Sequence, residues 1–180
     1  MSQFEVRSNV CLGVQVPFYW IDNASMSEDE HLVEAVDALF AAIQLPGVRL
    51  WSPHSAAMVR ATFKKRLQKA ARGELRPPRE LKPVGSGRPT LYEIRWSGIS
   101  VRERDEDGGP DAYFDVEIRM LHGEPDELGL CFLGLHAHEK QYWGSSDEIK
   151  AAQDAEIQVA RNRYIVGEAR FWGVSKRTAG

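Results

Sequence analysis

The chain is poor in cysteine: two among 180 residues, Cys11 and Cys131, with no Cys-x-x-Cys spacing. This argues against a disulfide framework, although one Cys11–Cys131 bridge stays open, and it excludes a thiolate zinc ribbon. Both cysteines sit among apolar neighbours, as in Val10-Cys11-Leu12 and Leu130-Cys131-Phe132, so two buried, reduced thiols are expected. The five histidines are scattered, and no metal site or cofactor is anticipated. No apolar run approaches the roughly 20 residues of a membrane span. Residues Met1–Arg7 include Glu5 and lack a basic stretch followed by an apolar core, so a secretory leader is not expected. The expectation is a soluble, cytoplasmic protein with no membrane partner. Repeats and low-complexity tracts are also lacking.

A net positive charge is missing as well. The formal charge is −3, which argues against a dedicated nucleic-acid binder. Its distribution is uneven. Arg60–Arg95 holds eleven Lys/Arg against three Asp/Glu, whereas Val101–Glu127 holds three Arg against ten Asp/Glu. A basic face beside an acidic one fits this pattern, and so do two solvated neighbouring surfaces.

What is present is an ordinary globular composition, 43% hydrophobic and 27% charged, with length for one substantial core. Val10, Leu12, Val14, Val16 and Phe18 alternate, which predicts a half-buried strand ending near Pro17. Ser27 and Glu30 form a capping box for a helix with an apolar stripe from Leu32 to Ile43, stopped at Pro46-Gly47. Ser52-Pro53 opens a second helix whose apolar face includes Met58, Val59, Phe63 and Leu67, and the pair reads as an antiparallel hairpin. Arg76–Thr90, rich in Pro and Gly, reads as a connector. Three strands follow, at Leu91–Val101, Tyr113–Leu121 and Leu128–His138, in an antiparallel meander. Ser145 and Glu148 cap a closing helix from about Ser146 to Tyr164, and a short tail strand within Ile165–Val174 is possible. Residues 175–180 read as a frayed tail. The five tryptophans are expected in the core or partly buried. The sum is a single α+β domain over residues 1–180.

Three segments resemble toxins of the RelE/ParE superfamily, in particular its HigB-like, phage-derived branch. They are Phe63-Lys64-Lys65-Arg66-Leu67 with the Leu81-Lys82-Pro83-Val84 phrase, the strand Leu91-Tyr92-Glu93-Ile94-Arg95, and the strand end Leu135-His136-Ala137-His138-Glu139-Lys140. The resemblance implies a RelE-like core over 51–174. Residues 1–50, the N-terminal strand and first helix, are longer than usual for that family. It implies the toxin of a type II toxin–antitoxin pair, a ribosome-dependent mRNA endonuclease working without metal. Its partners would be a helix-turn-helix antitoxin and the ribosome with its mRNA.

Such cleavage needs a proton acceptor, a proton donor and cations around the phosphate. The catalytic candidates are His136, His138, Lys140 and Tyr142. His136 and His138 share a strand face, and Lys140 extends it if the strand continues. A polar strand edge with unremarkable histidines is the plain alternative. The RNA-binding candidates are Arg60, Lys64, Lys65, Lys69, Arg72 and Arg95, although Arg95 also reads as a structural partner of Glu93. Two positions depart from the branch: Asp115, in Phe114-Asp115-Val116, replaces an expected arginine, and Gln141 replaces a lysine. Arg119 points the same way as Asp115 and is a conceivable substitute. Two further readings stay open. One is a catalytically altered or inactive protein on this scaffold, binding a partner through its acidic loop at Arg102–Asp111. The other is a gyrase-directed toxin of the ParE kind.

Overall fold

A computed structural model describes residues 8–23 and 27–174. The residues 175–180 read as frayed, and those of the Met1–Arg7 reading, lie outside these.

Both expected helices of the hairpin form where their caps stand. In α1 (Glu28–Gln44) the Ser27 hydroxyl accepts from the Glu30 N–H while Glu30 accepts from the Ser27 N–H. In α2 (Pro53–Ala71) Ser52 and Ser55 exchange the same pair of bonds, and Pro53 opens the first turn. The helices run antiparallel, with Asp37 opposite Arg60 and Phe40 against Trp51. The closing helix α3 (Ser146–Glu168) starts at the predicted Ser145–Glu148 box and runs four residues past the predicted end.

The sheet has five strands: β1 (Phe18–Trp20), β2 (Leu81–Val84), β3 (Leu91–Glu103), β4 (Ala112–Gly123) and β5 (Phe132–Glu139). Their spatial order is β1-β5-β4-β3-β2. The sheet is mixed and so corrects the expected antiparallel meander. β2 to β5 are antiparallel neighbours, but β1 joins the far edge parallel to β5. The result is α+β, with α1 and α2 against one face and α3 against the other.

Three local expectations change with it. The long N-terminal strand shrinks to Phe18–Trp20. Asn9–Cys11 is instead a 3-10 turn, Gly13 takes φ +70°, and Leu12 and Val14 face solvent. The backbone of this segment bonds to the end of α2, through Gly13 N–H to Gly73 O and Val16 N–H to Ala71 O. The Pro-rich connector contains a true edge strand, β2, which tolerates Pro83 because an edge leaves one row of N–H groups without a strand partner. The possible tail strand is absent. Phe171–Gly173 forms a 3-10 turn with left-handed backbone that turns Trp172 into the core. Among the tryptophans, Trp143 departs from expectation, being exposed, while Trp20, Trp96 and Trp172 are buried.

The parallel β1–β5 pairing rests on a close approach. A Cβ at Gly134 would lie 2.5 Å and 2.8 Å from Trp20 ring carbons and 3.2 Å from a Phe18 ring carbon. Both rings are buried, and Phe18 already packs on Phe132 at 4.6 Å, so neither has open space to move into. Gly134→Ala is therefore expected to lose about 1–3 kcal/mol from overpacking. Urea unfolding measures it, and a variant as stable as wild type would refute the packing argument.

Among the described residues no helix is long and apolar enough to cross a membrane. Cys11 is half-buried and Cys131 buried, and both are free thiols. Burial, helped by the nearby Glu124 carboxylate, raises their pKa values to about 11 and about 12.

Candidate functional site

The site is built on the sheet face that α3 covers. A strand alternates its side chains, so Glu93 and Arg95 of β3 and Glu117 and Arg119 of β4 share that face. Arg95 lies opposite Arg119, and Arg119 opposite His138. The polar row crosses three strands.

One irregularity aims the histidines. β4 pairs Leu121 with His136 but His122 with Gly134, leaving Leu135 as an extra residue. This is a β-bulge, which lets adjacent residues point to one side. Leu135 packs with Ile157 and Ala160 of α3, and His136 bonds to Glu156 of the same helix. Alternation then resumes: Ala137 joins the opposite core and His138 returns to the α3 side. The Leu135 carbonyl accepts from Arg163 of α3 at 2.7 Å.

The two imidazoles stack, with ring centroids 5.7 Å apart and planes 17° apart. His136 presents Nε2 to the Glu156 carboxylate. His138 is 8% exposed, and its Nδ1 has no hydrogen-bond partner. Burial lowers the His138 pKa to about 4; Glu156 and Glu93 oppose this, while His136 and Arg119 add to it. His138 is therefore a neutral imidazole at neutral pH, able to accept a proton or a cation but a weak base.

Beside it lies a cavity of about 60 Å³, lined in part by Glu93, Arg119, His138, Lys140 and Glu156. The Oε2 of Glu93, a carboxylate only 1% exposed, has no hydrogen-bond partner. Its other oxygen accepts from Arg95 Nε at 2.7 Å and lies 3.7 Å from Arg119 Nε. Arg119 also pairs with Glu117. Lys140 Nζ lies 3.8 Å from Glu117 and 4.4 Å from the centre of the Tyr142 ring. Burial and the Glu117 carboxylate, which accepts from the Tyr142 hydroxyl, raise the Tyr142 pKa.

The four catalytic candidates, His136, His138, Lys140 and Tyr142, thus gather at one strand end. Of the RNA-binding candidates, the five on and after α2 do not join them. α2 packs on the opposite sheet face, where Phe63 and Leu67 meet the core of Ile94, Trp96 and Ile118. Most of its cations are already engaged: Arg60 with Asp37 and the Phe40 ring, Lys69 with Glu80, and Arg72 with Glu74. Lys64 and Lys65 are exposed. Arg95 alone lies on the site's face, held by Glu93. Asp115 is exposed toward the far end of β4, and Gln141 lines the cavity.

Sequence reasoning missed Glu156 as a site residue and took Glu93 only as a partner for Arg95. Glu156 follows His136 by twenty residues, and no local pattern signals the pair. The helical spacing of Ile149, Ala152, Gln153 and Glu156 does mark one face of α3, and all four line the cavity. Comparisons with protein families, curated proteins and solved structures give no match, so the likeness to RelE/HigB toxins rests on the quoted residues alone.

Proposed function

We propose that the chain is a toxin of the RelE/HigB type, engaging and cleaving RNA at the β5–α3 cleft. One observation carries this reading: His136, His138, Lys140, Tyr142 and Arg119 meet on one face at one strand end. In this reading neutral His138 accepts the 2′-hydroxyl proton and His136, hydrogen-bonded to Glu156, serves the leaving oxygen. Arg119 and Lys140 stabilise charge on the phosphate. The protein partner is a DNA-binding antitoxin, and the substrate is mRNA on the ribosome.

A second reading, a catalytically altered protein acting by binding, is favoured by the carboxylates. Glu93, Glu117 and Glu156 hold the site's own cationic and imidazole groups, and each would repel a phosphate. The cavity is also much smaller than a nucleotide.

Induction in a bacterium separates the two. The toxin reading expects growth arrest and fragmented transcripts, with His136→Ala and Lys140→Ala each reducing cleavage by roughly 10²–10⁴-fold. Intact transcripts under wild-type induction would remove the ribonuclease reading. Undiminished cleavage by both variants would move the site elsewhere.

A further inference from the structure

We propose that His136, His138 and Glu156 form a binding site for a divalent transition metal of the zinc class, joining β5 to α3. Among the described residues, these three place one ligand atom each within 4.8 Å of one another. Zinc holds imidazole nitrogen at about 2.0–2.1 Å and carboxylate oxygen at about 2.0–2.2 Å, so tetrahedral ligand atoms sit roughly 3.3–3.5 Å apart. The wider separations must close and the His136–Glu156 hydrogen bond must open onto the ion, shifts of a size that side-chain torsions supply. Two imidazoles and one carboxylate suit zinc, cobalt and iron(II) better than calcium or magnesium, which prefer all-oxygen shells.

Two features beyond the cluster itself point to a cation. The first is His138, more than nine-tenths buried with an unpartnered ring nitrogen. A buried polar atom without a partner is costly, and native structures keep few of them. The second is the adjoining cavity of about 60 Å³, lined by His138 and Glu156 of the three, with room for an ion and a water completing its shell. Glu93, whose Oε2 is likewise unpartnered, lines the same cavity, and carboxylates beside metal-binding histidines commonly orient the rings. Charge at the cavity wall is mixed: Glu93, Glu139 and Glu156 against Arg119 and Lys140. Arg49 engages both oxygens of Glu139, and Glu117 is within ion-pair distance of both Arg119 and Lys140. Glu156 meets only His136 among the ion pairs of the described residues, which leaves its charge available to an ion.

The bulge at Leu135 has a purpose in this reading. Without the extra residue, His136 would point into the opposite core and the cluster could not form. The inference is independent of the ribonuclease reading. An ion held by both imidazoles withdraws them from proton transfer, so metal binding and metal-free cleavage compete for the same nitrogens.

The test uses the full chain, stripped with a chelator and dialysed, then titrated with zinc by calorimetry and with cobalt by visible absorption. One equivalent of zinc is expected, with cobalt bands of a four-coordinate nitrogen–oxygen site. His136→Ala, His138→Ala and Glu156→Gln should each weaken binding by at least about a hundredfold. His54→Ala, on the exposed start of α2, should leave it unchanged. Glu156 is partly exposed, so Glu156→Gln keeps the test decisive if a histidine variant misfolds; circular dichroism checks that it folds. Substoichiometric zinc binding by wild type, or unchanged binding in Glu156→Gln, overturns the proposal. So does a thiolate-to-cobalt charge-transfer band, which would put the ion on Cys11 or Cys131. These readouts involve no RNA, so failure of the toxin reading and failure of the metal site are separately visible.

Discussion

Trp172→Ala is expected to lose about 3–5 kcal/mol of stability, the range for truncating a fully buried large aromatic. Trp172 has no exposed surface. Its indole N–H donates to the Tyr164 carbonyl at 2.7 Å, and its ring packs on the Tyr164 ring at 4.9 Å, tilted by 57°. Gly167 admits it, since a Cβ there would come within 2.5 Å of the indole. The Trp172 carbonyl accepts from the Asp22 N–H, two residues beyond β1. Trp172 thus fastens the C-terminal half of α3 to the sheet, and α3 is what carries Glu156 to His136. The loss should appear as a lower urea midpoint with an unchanged slope. Phe171→Ala, removing a partly exposed neighbour, should cost far less. Equal losses in the two variants would mean that the turn as a whole, and not the buried indole, secures α3.

The tail was illegible in sequence for a physical reason. Phe171 and Trp172 have high strand propensity, and that propensity reflects packing on a pleated surface. Here the packing is supplied by a helix flank, reached through left-handed backbone at both residues. Helix starts were legible because capping boxes are local: three residues separate Ser27 from Glu30 and Ser145 from Glu148. β3 and β4 were legible because long alternation survives any choice of neighbour. β1 and β2, of three and four residues, are specified by partners far along the chain, and Pro83 disguises β2.

The site was legible along β5 and nowhere else. Alternation puts His136 and His138 on one face from sequence alone. The bulge that chooses which face, the burial that silences His138, and the arrival of Glu156 all depend on nonlocal packing. The basic run of α2 misled for the same reason. Six cations in thirteen residues suggest a binding face, but acidic partners on α1, β2's approach and the following loop engage several of them.

Acid should destabilise this protein well before its carboxylates titrate, and His138 should be the main cause. In the unfolded chain the imidazole takes a proton near pH 6.5; in the folded protein burial holds its pKa at about 4. Between those values the unfolded state binds more protons, so stability falls as pH falls. The contribution is fully present above pH 6.5 and gone by about pH 4. Two and a half units correspond to roughly 3 kcal/mol at most, and Glu156 from α3 and Glu93 from β3 already moderate the shift. His31 acts in the same direction, since burial lowers its pKa and its Nδ1 accepts the Trp20 N–H at 3.0 Å. Glu80, Glu117 and Glu124 are held below the usual carboxylate range, so their contributions hold through most of this window, begin to fall near the unfolded value of 4.5, and are lost in stronger acid. Urea midpoints at pH 7, 5.5 and 4.5 should therefore drop steadily in wild type. His138→Gln, which keeps a polar group but cannot charge, should flatten most of that slope and leave the smaller part due to His31. Parallel pH curves for wild type and His138→Gln would show that a proton on His138 costs the fold nothing.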